Sequence, residues 1–386
     1  MPVVDSITLY SDLLDYITAL NDGGARTKDL RMHKEAILGA YRDLSMCNEW
    51  AYYMNEGRIH LNTKYNTGTI AYTLSSNTLT LSGGTWPDWT PHGRIVIADE
   101  IYDVESVSGA NVTLGDLRPS ANISSSTSYA LYRTSYPLPD DMWRLYDVGV
   151  EANNWTAGYI SPTEWQRRER IFGSSGQTWA WTIMKDPESD GRWSLWVDPY
   201  PDTAEPLMFI YRRKPRTLRW SGVEASVRTH ASSGSADATT MVTAVAIPAS
   251  AVGSIVRLSS NTDYPTGLAG VNPYQEQNKI TAINTGTRTL TLKYPLQNSY
   301  SASEKVIVSD PVDMSENMIE ALKAEVEYRL SRFSNNQGDM VNARRVADYQ
   351  TRRALEAETR YATRAPALTR YDYLFTHLDG DITTSS

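Results

Sequence analysis

Two neighbouring carboxylates and five histidines are the residues whose types could carry out catalysis or bind a metal. Asp140 and Asp141 have the side chains of a general acid–base pair. Adjacent side chains point apart in a strand or turn, and this pair follows Pro139, so we expect a surface turn. The histidines lack the spacing of metal ligands; they are His33, His60, His92, His230 and His377. The sequence therefore predicts no enzyme, no cofactor and no metal site.

A second chemical candidate is the Trp86-x-x-Trp89 pair, because sugars stack on exposed tryptophan faces. The chain contains 11 Trp and 24 Tyr but only 4 Phe. Aromatic side chains with a polar atom are typical of large interfaces as well as of cores. The composition therefore favours core or interface positions for Trp86 and Trp89, with a glycan site as the alternative.

A third candidate is a row of arginines on the last predicted helix, about Asp339–Thr363. The row includes Arg344, Arg345, Arg352 and Arg353, and the helix before it carries Glu320 and Glu327. One interpretation is a solvated face on which Arg352 pairs with Asp348 and Glu356 at i,i+4 spacing. The other is charge pairing between the two helices or between neighbouring copies of the chain. We expect a mixture, and helix packing is favoured over a nucleic-acid role.

The bulk composition limits the class of protein. A chain of 386 residues is long enough for about two to four domains. Its net charge of −8 argues against a nonspecific nucleic-acid binder, whose affinity depends on Lys and Arg meeting phosphates. The single Cys47 cannot form an intrachain disulfide. We expect no signal peptide, because Met1–Ser6 lacks a basic start. We expect no membrane span, because the most apolar window, Met241–Val256, contains Pro248 and Gly253.

The chain contains one β pattern twice. Residues 103–133 and 279–309 both place apolar residues at every second position, with Gly or Asn turns between them. The correspondences are Val104 and Val107 with Ile280 and Ile283, Val112-Thr113-Leu114 with Leu290-Thr291-Leu292, and, upstream, Gly93-Arg94-Ile95-Val96 with Gly253-Ser254-Ile255-Val256. The repeat predicts two small β-barrel or sandwich modules inserted into a common host.

Helical periodicity marks both ends of the chain. It predicts one helix that ends at Asn21–Gly24, a second from about Thr27, and two closing helices, the first preceded by a capping box of Asp313 and Glu316. In the middle, Ser161-Pro162-Thr163-Glu164 predicts a helix start. Three strands follow near 178–184, 193–197 and 207–211. We therefore predict an α+β fold with a helical core of N- and C-terminal helices, a central β unit and two inserted β-modules.

The predicted domains follow this order along the chain. They are residues 1–68 (N-terminal helices of the core), 69–133 (first inserted β-module), 134–230 (central helix and β-meander), 231–310 (second inserted β-module), 311–363 (C-terminal helices of the core) and 364–386 (docking tail). The tail has too little apolar surface to fold alone. We predict that it docks onto a partner through Arg364, Tyr371, Tyr373, Leu374 and Phe375.

The order of these elements resembles the head-to-tail adaptor proteins of tailed bacteriophages, also called connector or head-completion proteins. The likeness rests on the segment Tyr136-Pro-Leu-Pro-Asp-Asp-Met-Trp-Arg-Leu145, on the strand pair Trp193–Pro201 and Leu207–Pro215, and on the two closing helices. It covers about Thr8–Thr363. The second β-module, Ala231–Asp310, departs from it, because simpler relatives have only a short link there.

The resemblance implies a structural virion protein that forms a ring of about twelve copies, joins the capsid portal to the tail and surrounds the DNA channel. Its partners would be the portal protein, a tail tube or nozzle protein, neighbouring copies of itself and, as a further candidate, tail fibres. Double-stranded DNA would pass through without specific binding during genome ejection, which suits an acidic chain. The expected location is the head–tail neck of the virion, after synthesis in the host cytoplasm.

The alternative function is a tail-associated protein that binds a receptor glycan or anchors tail fibres, with Trp86 and Trp89 as the contact residues. A tail-associated hydrolase is a third interpretation, and it requires carboxylates that converge in a cleft. Exposure of the two tryptophans and the placement of Asp140 and Asp141 distinguish these functions.

Overall fold

A computed structural model of the chain describes residues 8–20, 27–150, 155–169, 175–186, 192–201, 203–204, 206–259, 276–302, 304–332 and 337–364. Of the described residues, 40% are in strands and 28% are in helices. The protein is therefore mostly β, and the predicted α+β fold with a helical core is wrong.

The described helices and strands are numbered in chain order. The helices are α1 Tyr10–Leu20, α2 Thr27–Cys47, α3 Pro162–Glu169, α4 Glu316–Ser331 and α5 Gln337–Arg364. The first strands are β1 Met54–His60, β2 Thr69–Thr73, β3 Thr78–Ser82, β4 Gly93–Ile97, β5 Glu100–Ser108, β6 Asn111–Leu114, β7 Ile123–Thr127 and β8 Ala130–Arg133. Then come β9 Ser135–Pro137, β10 Met142–Val150, β11 Trp155–Thr156, β12 Gly158–Tyr159, β13 Ser175–Gly176, β14 Ala180–Lys185, β15 Trp193–Asp198, β16 Tyr200–Pro201 and β17 Pro206–Arg213. The last strands are β18 Arg228–Gly234, β19 Thr240–Thr243, β20 Ile255–Ser259, β21 Glu276–Asn284, β22 Thr289–Leu292 and β23 Lys305–Ser309.

The chain divides into two compact units. Unit 1 combines Met1–Tyr52 with Pro215–Ser386, and unit 2 is Tyr53–Lys214. Unit 1 therefore holds α1, α2, α4, α5 and the strands β18–β23, while unit 2 holds α3 and β1–β17. The finer domain boundaries stay predictions.

The first repeat copy lies in a seven-stranded sheet of unit 2, which we call the open sheet (Thr69–Arg133). Its strand order is β7-β2-β3-β6-β5-β4-β8, and it has the form of a half-barrel. Along β3, Leu79 and Leu81 face the core, and threonine or serine alternates with them. This period-two pattern gives the sheet one buried and one solvated face.

A second core of unit 2 lies between two four-stranded sheets, β1-β17-β10-β11 and β12-β14-β15-β9. The central strand β17 pairs antiparallel with β1 and β10. A Cβ atom on Gly57 of β1 would lie 2.3 Å from the Phe209 ring, so glycine is needed for that ring to pack across β1. The predicted start of α3 is confirmed, because the Ser161 hydroxyl accepts a hydrogen bond from the Glu164 N–H at 3.3 Å.

The second repeat copy lies in a closed barrel of unit 1, with the strand order β18-β19-β22-β21-β20-β23 (Arg228–Ser309). The strand β23 closes the barrel because it pairs with both β18 and β20. Aliphatic side chains fill most of the interior. They include Met241, Val256, Leu258, Leu290 and Val308.

The helices of unit 1 pack through narrow apolar stripes, with α4 between α2 and α5. Ile37 of α2 and Leu322 of α4 are fully buried. The predicted capping box of Asp313 and Glu316 is wrong, because the residue before α4 is Ser315 and its side chain makes no capping bond. The Asp313 carboxylate instead accepts a hydrogen bond from the Arg216 N–H at 2.9 Å.

The register of the repeat differs by one residue from the sequence alignment upstream. The alignment paired Ile95 with Ile255, but the core position that matches Ile95 is Val256. Ile255 points to the other face, where it contacts Leu9 and Tyr294. A shift of one residue turns every side chain of a strand to the opposite face. The alignment therefore assigned Ile255 to the core and Val256 to the outer face, which is the reverse of what the structure has.

The prediction of a helical core failed because helical periodicity stands out more clearly in the sequence than short strands do. Three buried apolar clusters lie among strands: the open sheet, the paired four-stranded sheets and the barrel. The described strands have two to nine residues each, which is too short for a strong periodic signal. Strands, and not helices, therefore surround most of the described core.

Candidate functional site

One side of α5 has the composition of a protein interface. On this side lie Val341, Arg345, Val346, Tyr349, Arg352 and Arg353, which together we call the α5 outer face; all six are exposed, and Tyr349 has 65% of its surface in contact with solvent. On the opposite side, Ala347 and Ala354 are almost fully buried. The face is therefore a consequence of α5 packing through small residues against α4.

The arginines of α5 divide into two groups. Arg344 belongs to the contact between helices: it pairs with Asp348 at 3.0 Å and lies over the Tyr328 ring at 5.0 Å. Its guanidinium also lies 3.9 Å from Glu325 of α4. Arg345, Arg352 and Arg353 form no ion pair with any residue that the structure describes. The expected pair of Arg352 with Asp348 is absent, because Asp348 pairs with Arg344 instead.

The predicted acidic partners on α4 have other contacts. Glu320 pairs with Lys323 at 2.7 Å, one turn along the same helix. Glu327 accepts a hydrogen bond from the Tyr16 hydroxyl of α1 at 2.5 Å. The acid that does face α5 is Glu325, and burial raises its pKa above the usual value, although Arg329 and Arg344 oppose that shift. The charges of α4 are thus used within unit 1 and leave the α5 outer face basic.

Unit 1 also contains an open cleft of about 430 Å³, which we call the unit 1 cleft. Its apolar lining comes from the barrel strand β20, from the chain that leads into α4 and from the first turn of α4. These apolar residues are Ile255, Pro311, Val312, Met314 and Ile319. Thr8 and five side chains with polar groups complete the lining.

The polar lining of the unit 1 cleft does not form an acid–base pair. Asp313 accepts hydrogen bonds from the Tyr52 hydroxyl at 3.0 Å and from the Arg216 N–H at 2.9 Å. Glu316 and Lys279 are exposed, and the Lys279 ammonium makes no ion pair with a described residue. The arrangement suits binding better than catalysis.

A buried carboxylate holds the wall of the cleft in place. Asp310, which is 1% exposed, accepts hydrogen bonds from the N–H groups of Arg219 and Trp220, both at 2.6 Å. Its other oxygen accepts from the Ser254 hydroxyl at 2.6 Å and from the Arg216 guanidinium at 3.3 Å. A buried carboxylate with this many donors fixes the backbone around it.

Trp86 is a core residue. It is 5% exposed, its indole N–H donates to the Ala110 carbonyl at 2.8 Å, and its ring meets the edge of Tyr129 at 5.4 Å. Trp89 is partly buried against the same cluster. The Trp86 ring therefore offers no open face to a sugar.

The other chemical candidates are separated from one another. Asp140 pairs with Arg192 at 2.8 Å, whereas Asp141 accepts from the Tyr211 hydroxyl at 3.3 Å, so the two carboxylates do not converge. His33 is buried on α2. Within the described ranges, no group of three or more His, Cys, Asp or Glu side chains is placed to hold a metal ion.

The predicted docking residues lie mostly beyond the described part of the chain. Arg364 is the last residue of α5, and nothing is described of its side chain. Tyr371, Tyr373, Leu374 and Phe375 lie outside the described residues. Their docking role stays a prediction.

A pair of exposed aromatic residues in unit 2 was missed by the sequence interpretation. Tyr159 and Trp179 are 57% and 43% exposed. Trp181, two residues beyond Trp179, is buried and meets the Tyr159 ring at 5.0 Å. The sequence signal was the W-x-W spacing of Trp179-Ala180-Trp181, in which Trp181 belongs to β14 and Trp179 directly precedes that strand.

Comparison of the chain with protein-family models, curated proteins and solved structures found no match. Among the described residues, no helix is both long enough and apolar enough to span a membrane.

Proposed function

We propose that the chain is a structural virion protein that forms an oligomeric ring, joins the capsid portal to the tail and surrounds the DNA channel. The observation that carries the proposal is the α5 outer face. It exposes three arginines, a tyrosine and two valines along one helix. Arginine and tyrosine are enriched at protein interfaces, and both are frequent among the residues that contribute most to binding.

A ring of identical copies requires each copy to present two different, complementary surfaces. The α5 outer face is basic, whereas the whole chain carries a net charge of −8. Acidic surface is therefore available on a neighbouring copy, and such complementarity fixes the register of a contact. In the proposed ring, the α5 outer face of each copy meets the acidic surface of the next.

The resemblance to head-to-tail adaptors supports the head–tail neck as the location. The neighbours would be the portal protein on one side and a tail tube or nozzle protein on the other. An acidic chain also suits a channel that lets DNA pass, since grip on DNA comes from Lys and Arg neutralising phosphate.

Electron microscopy of assembled particles with a gold label on residue 386 tests the location. We expect label in a ring at the neck, with about a dozen copies. Label at the tail periphery, or on no particle at all, would contradict the proposal.

Charge reversal tests the ring contact. We expect the triple variant Arg345→Glu, Arg352→Glu, Arg353→Glu to lower neck occupancy by about tenfold or more, because three unfavourable charge pairs replace three favourable ones. The matched control reverses three exposed arginines elsewhere, Arg31, Arg58 and Arg118, and should leave occupancy unchanged. Equal occupancy in both variants would remove the α5 outer face from the contact.

The exposed pair Tyr159 and Trp179 favours the second candidate, a tail-associated protein that binds a receptor glycan or anchors fibres. Tyr159 lies in β12 and Trp179 directly precedes β14, which pairs with β12. Half-exposed rings of this kind can stack on a sugar or on another protein. Binding of host-surface glycans that is lost in the variant Tyr159→Ala, Trp179→Ala and retained in Trp143→Ala would support this candidate over the ring.

A further inference from the structure

The unit 1 cleft lies where α5 ends. The Ser315 hydroxyl donates to Glu358 of α5 at 2.7 Å, and Ser315 lies between the lining residues Met314 and Glu316. The backbone N–H of Tyr52, another lining residue, also donates to Glu358, at 3.4 Å. The last turns of α5 therefore pass the rim of the cleft.

The chain that follows α5 is long enough to return to the cleft. Arg364 lies six residues beyond Glu358, a distance of about 9 Å along the helix axis. Seven further residues lead to Tyr371, and they can span up to about 23 Å when extended. The segment from Tyr371 onward can therefore reach back past the end of α5.

The chemistry of this segment matches the lining. Tyr371, Tyr373, Leu374 and Phe375 are apolar or amphipathic, which suits the apolar part of the cleft lining. Arg370 and Asp372 carry opposite charges, and the rim offers Glu316 and Lys279. The cleft volume of about 430 Å³ lies within the range of sites that hold a small ligand or a few side chains, roughly 300–1,000 Å³.

We infer that the unit 1 cleft is the docking site for residues 371–375 of the same chain. A short tether gives such a segment an effective concentration of about the millimolar order, so even modest contacts fill the site. This docking holds whether or not the chain forms a ring. One consequence rests on the proposed function: a portal partner that uses the same aromatic residues must first displace them from the cleft.

Photo-crosslinking of the full-length chain tests this docking. Tyr373→p-benzoylphenylalanine places a light-activated group in the segment, and mass spectrometry then maps its partner. We expect crosslinks to the peptide that contains Pro311–Ile319, within one chain. The same group at Tyr349, on the α5 outer face, is the control and should not reach that peptide. Crosslinks from residue 373 to any other peptide overturn the inference.

A mixture of isotopically light and heavy protein shows whether the crosslink joins one chain or two. Crosslinks that join light to heavy chains also overturn the inference, since the cleft would then receive a second copy. Because the measurement uses the isolated chain and needs no particle, its failure leaves the proposed ring untouched, and failure of the ring leaves the docking untouched.

Two further variants test the contacts within the cleft. Ile319→Arg places a charge in the apolar lining and should reduce the crosslink by about tenfold. Val341→Arg adds the same charge on α5 and should not reduce it. Lys279→Glu changes only an exposed side chain, so it keeps the fold and should lower the crosslink by about threefold. An unchanged yield in both cleft variants would count against docking there.

Discussion

The open sheet and the closed barrel share one order of strand pairing but differ in how they close. Strands β2, β3, β6, β5 and β4 pair in the same sequence as β18, β19, β22, β21 and β20. In the barrel, β23 pairs with both outer members, β18 and β20. In the open sheet this role is divided between β7, which pairs with β2, and β8, which pairs with β4. The closing segment of the open sheet is thus split into β7 and β8 by residues 128–129, whereas β23 of the barrel is one continuous strand.

The interior side chains explain why the closing strand is interrupted in one copy. The open sheet buries the aromatic residues Tyr72, Trp86, Tyr102 and Tyr129, whereas the buried aromatic residue of the barrel cluster is Tyr300. Larger interior side chains need a wider interior, and one closing strand then cannot hydrogen-bond to both neighbours. Tyr129 lies at the interruption itself and donates its hydroxyl to the Thr67 carbonyl at 2.9 Å.

The outward faces differ as well. By core register, Arg257 of β20 occupies the position that Val96 holds in β4. Arg257 is 2% exposed and forms a bidentate pair with Asp12 of α1, at 2.6 and 2.9 Å. The barrel is thereby fixed to α1, whereas Val96 offers the open sheet no such attachment. Repeated modules can therefore keep one pairing order while their two faces take different roles.

The largest expected effect comes from removing the aromatic filling of the open sheet. Trp86→Ala should lower the free energy of unfolding of the open sheet by about 3–5 kcal/mol, because it leaves a cavity and removes the indole hydrogen bond to the Ala110 carbonyl. Hydrogen exchange with mass spectrometry should show the loss of protection in Thr69–Arg133. Trp143→Ala, at a half-exposed position of unit 2, is the control and should change protection little. Protection unaltered by Trp86→Ala would mean that aromatic filling does not hold the open sheet together.

A smaller effect is expected at the attachment that only the barrel has. Arg257→Val copies the residue of the open sheet and should destabilise unit 1 by about 2 kcal/mol, because it leaves Asp12 partly buried without its partner. Urea unfolding measures the change, and a double-mutant cycle with Asp12→Asn isolates the coupling. Arg228→Val, an exposed arginine of β18, is the control and should cost less than about 0.5 kcal/mol. A coupling near zero would show that the bidentate pair does not attach α1.

Much of the local structure could be predicted from the sequence, because it depends on neighbouring residues. The start of α3 depends on Ser161 and Glu164, three residues apart, and the structure has the expected hydrogen bond. The strands near 193–197 and 207–211 are likewise present as β15 and β17. The capping box at Asp313 failed because Arg216, far along the chain, provides its backbone N–H to that carboxylate.

The architecture and the candidate site could not be predicted, because they depend on residues distant in sequence. The closure of the barrel requires β18 to pair with β23, for example Arg228 with Ile307, far along the chain. The unit 1 cleft combines Tyr52 and Arg216 with Asp313. The exposed arginines of α5 were identified, but which of them would face α4 depended on Ala347 and Ala354, which carry no signal of their own. Composition favoured core or interface positions for Trp86 and Trp89, and the structure buries the first and partly buries the second.

The smallest expected effect is a difference in alkaline stability between the two modules. Burial and the neighbouring Glu100 raise the pKa of Tyr102 to about 12, and burial also raises the pKa of Tyr129. In the barrel, burial and then Glu276 raise the pKa of Tyr300. The unfolded chain loses these protons near pH 10 while the native state keeps them. Stability is therefore full below about pH 10 and falls as the pH rises above it.

Because the open sheet has two such tyrosines and the barrel cluster one, the open sheet should lose stability more steeply between pH 9 and about 11.5. Urea unfolding at stepped pH, with limited proteolysis and mass spectrometry to assign each transition, measures both modules in one sample. Tyr129→Phe removes one ionisable group and should flatten the slope of the open sheet toward that of the barrel, while Tyr300→Phe should flatten only the slope of the barrel. Equal slopes of stability against pH in the unaltered protein would mean that the open sheet keeps its tyrosine hydroxyls protonated no better than the barrel does. The interiors of the two modules would then differ only in the size of their side chains.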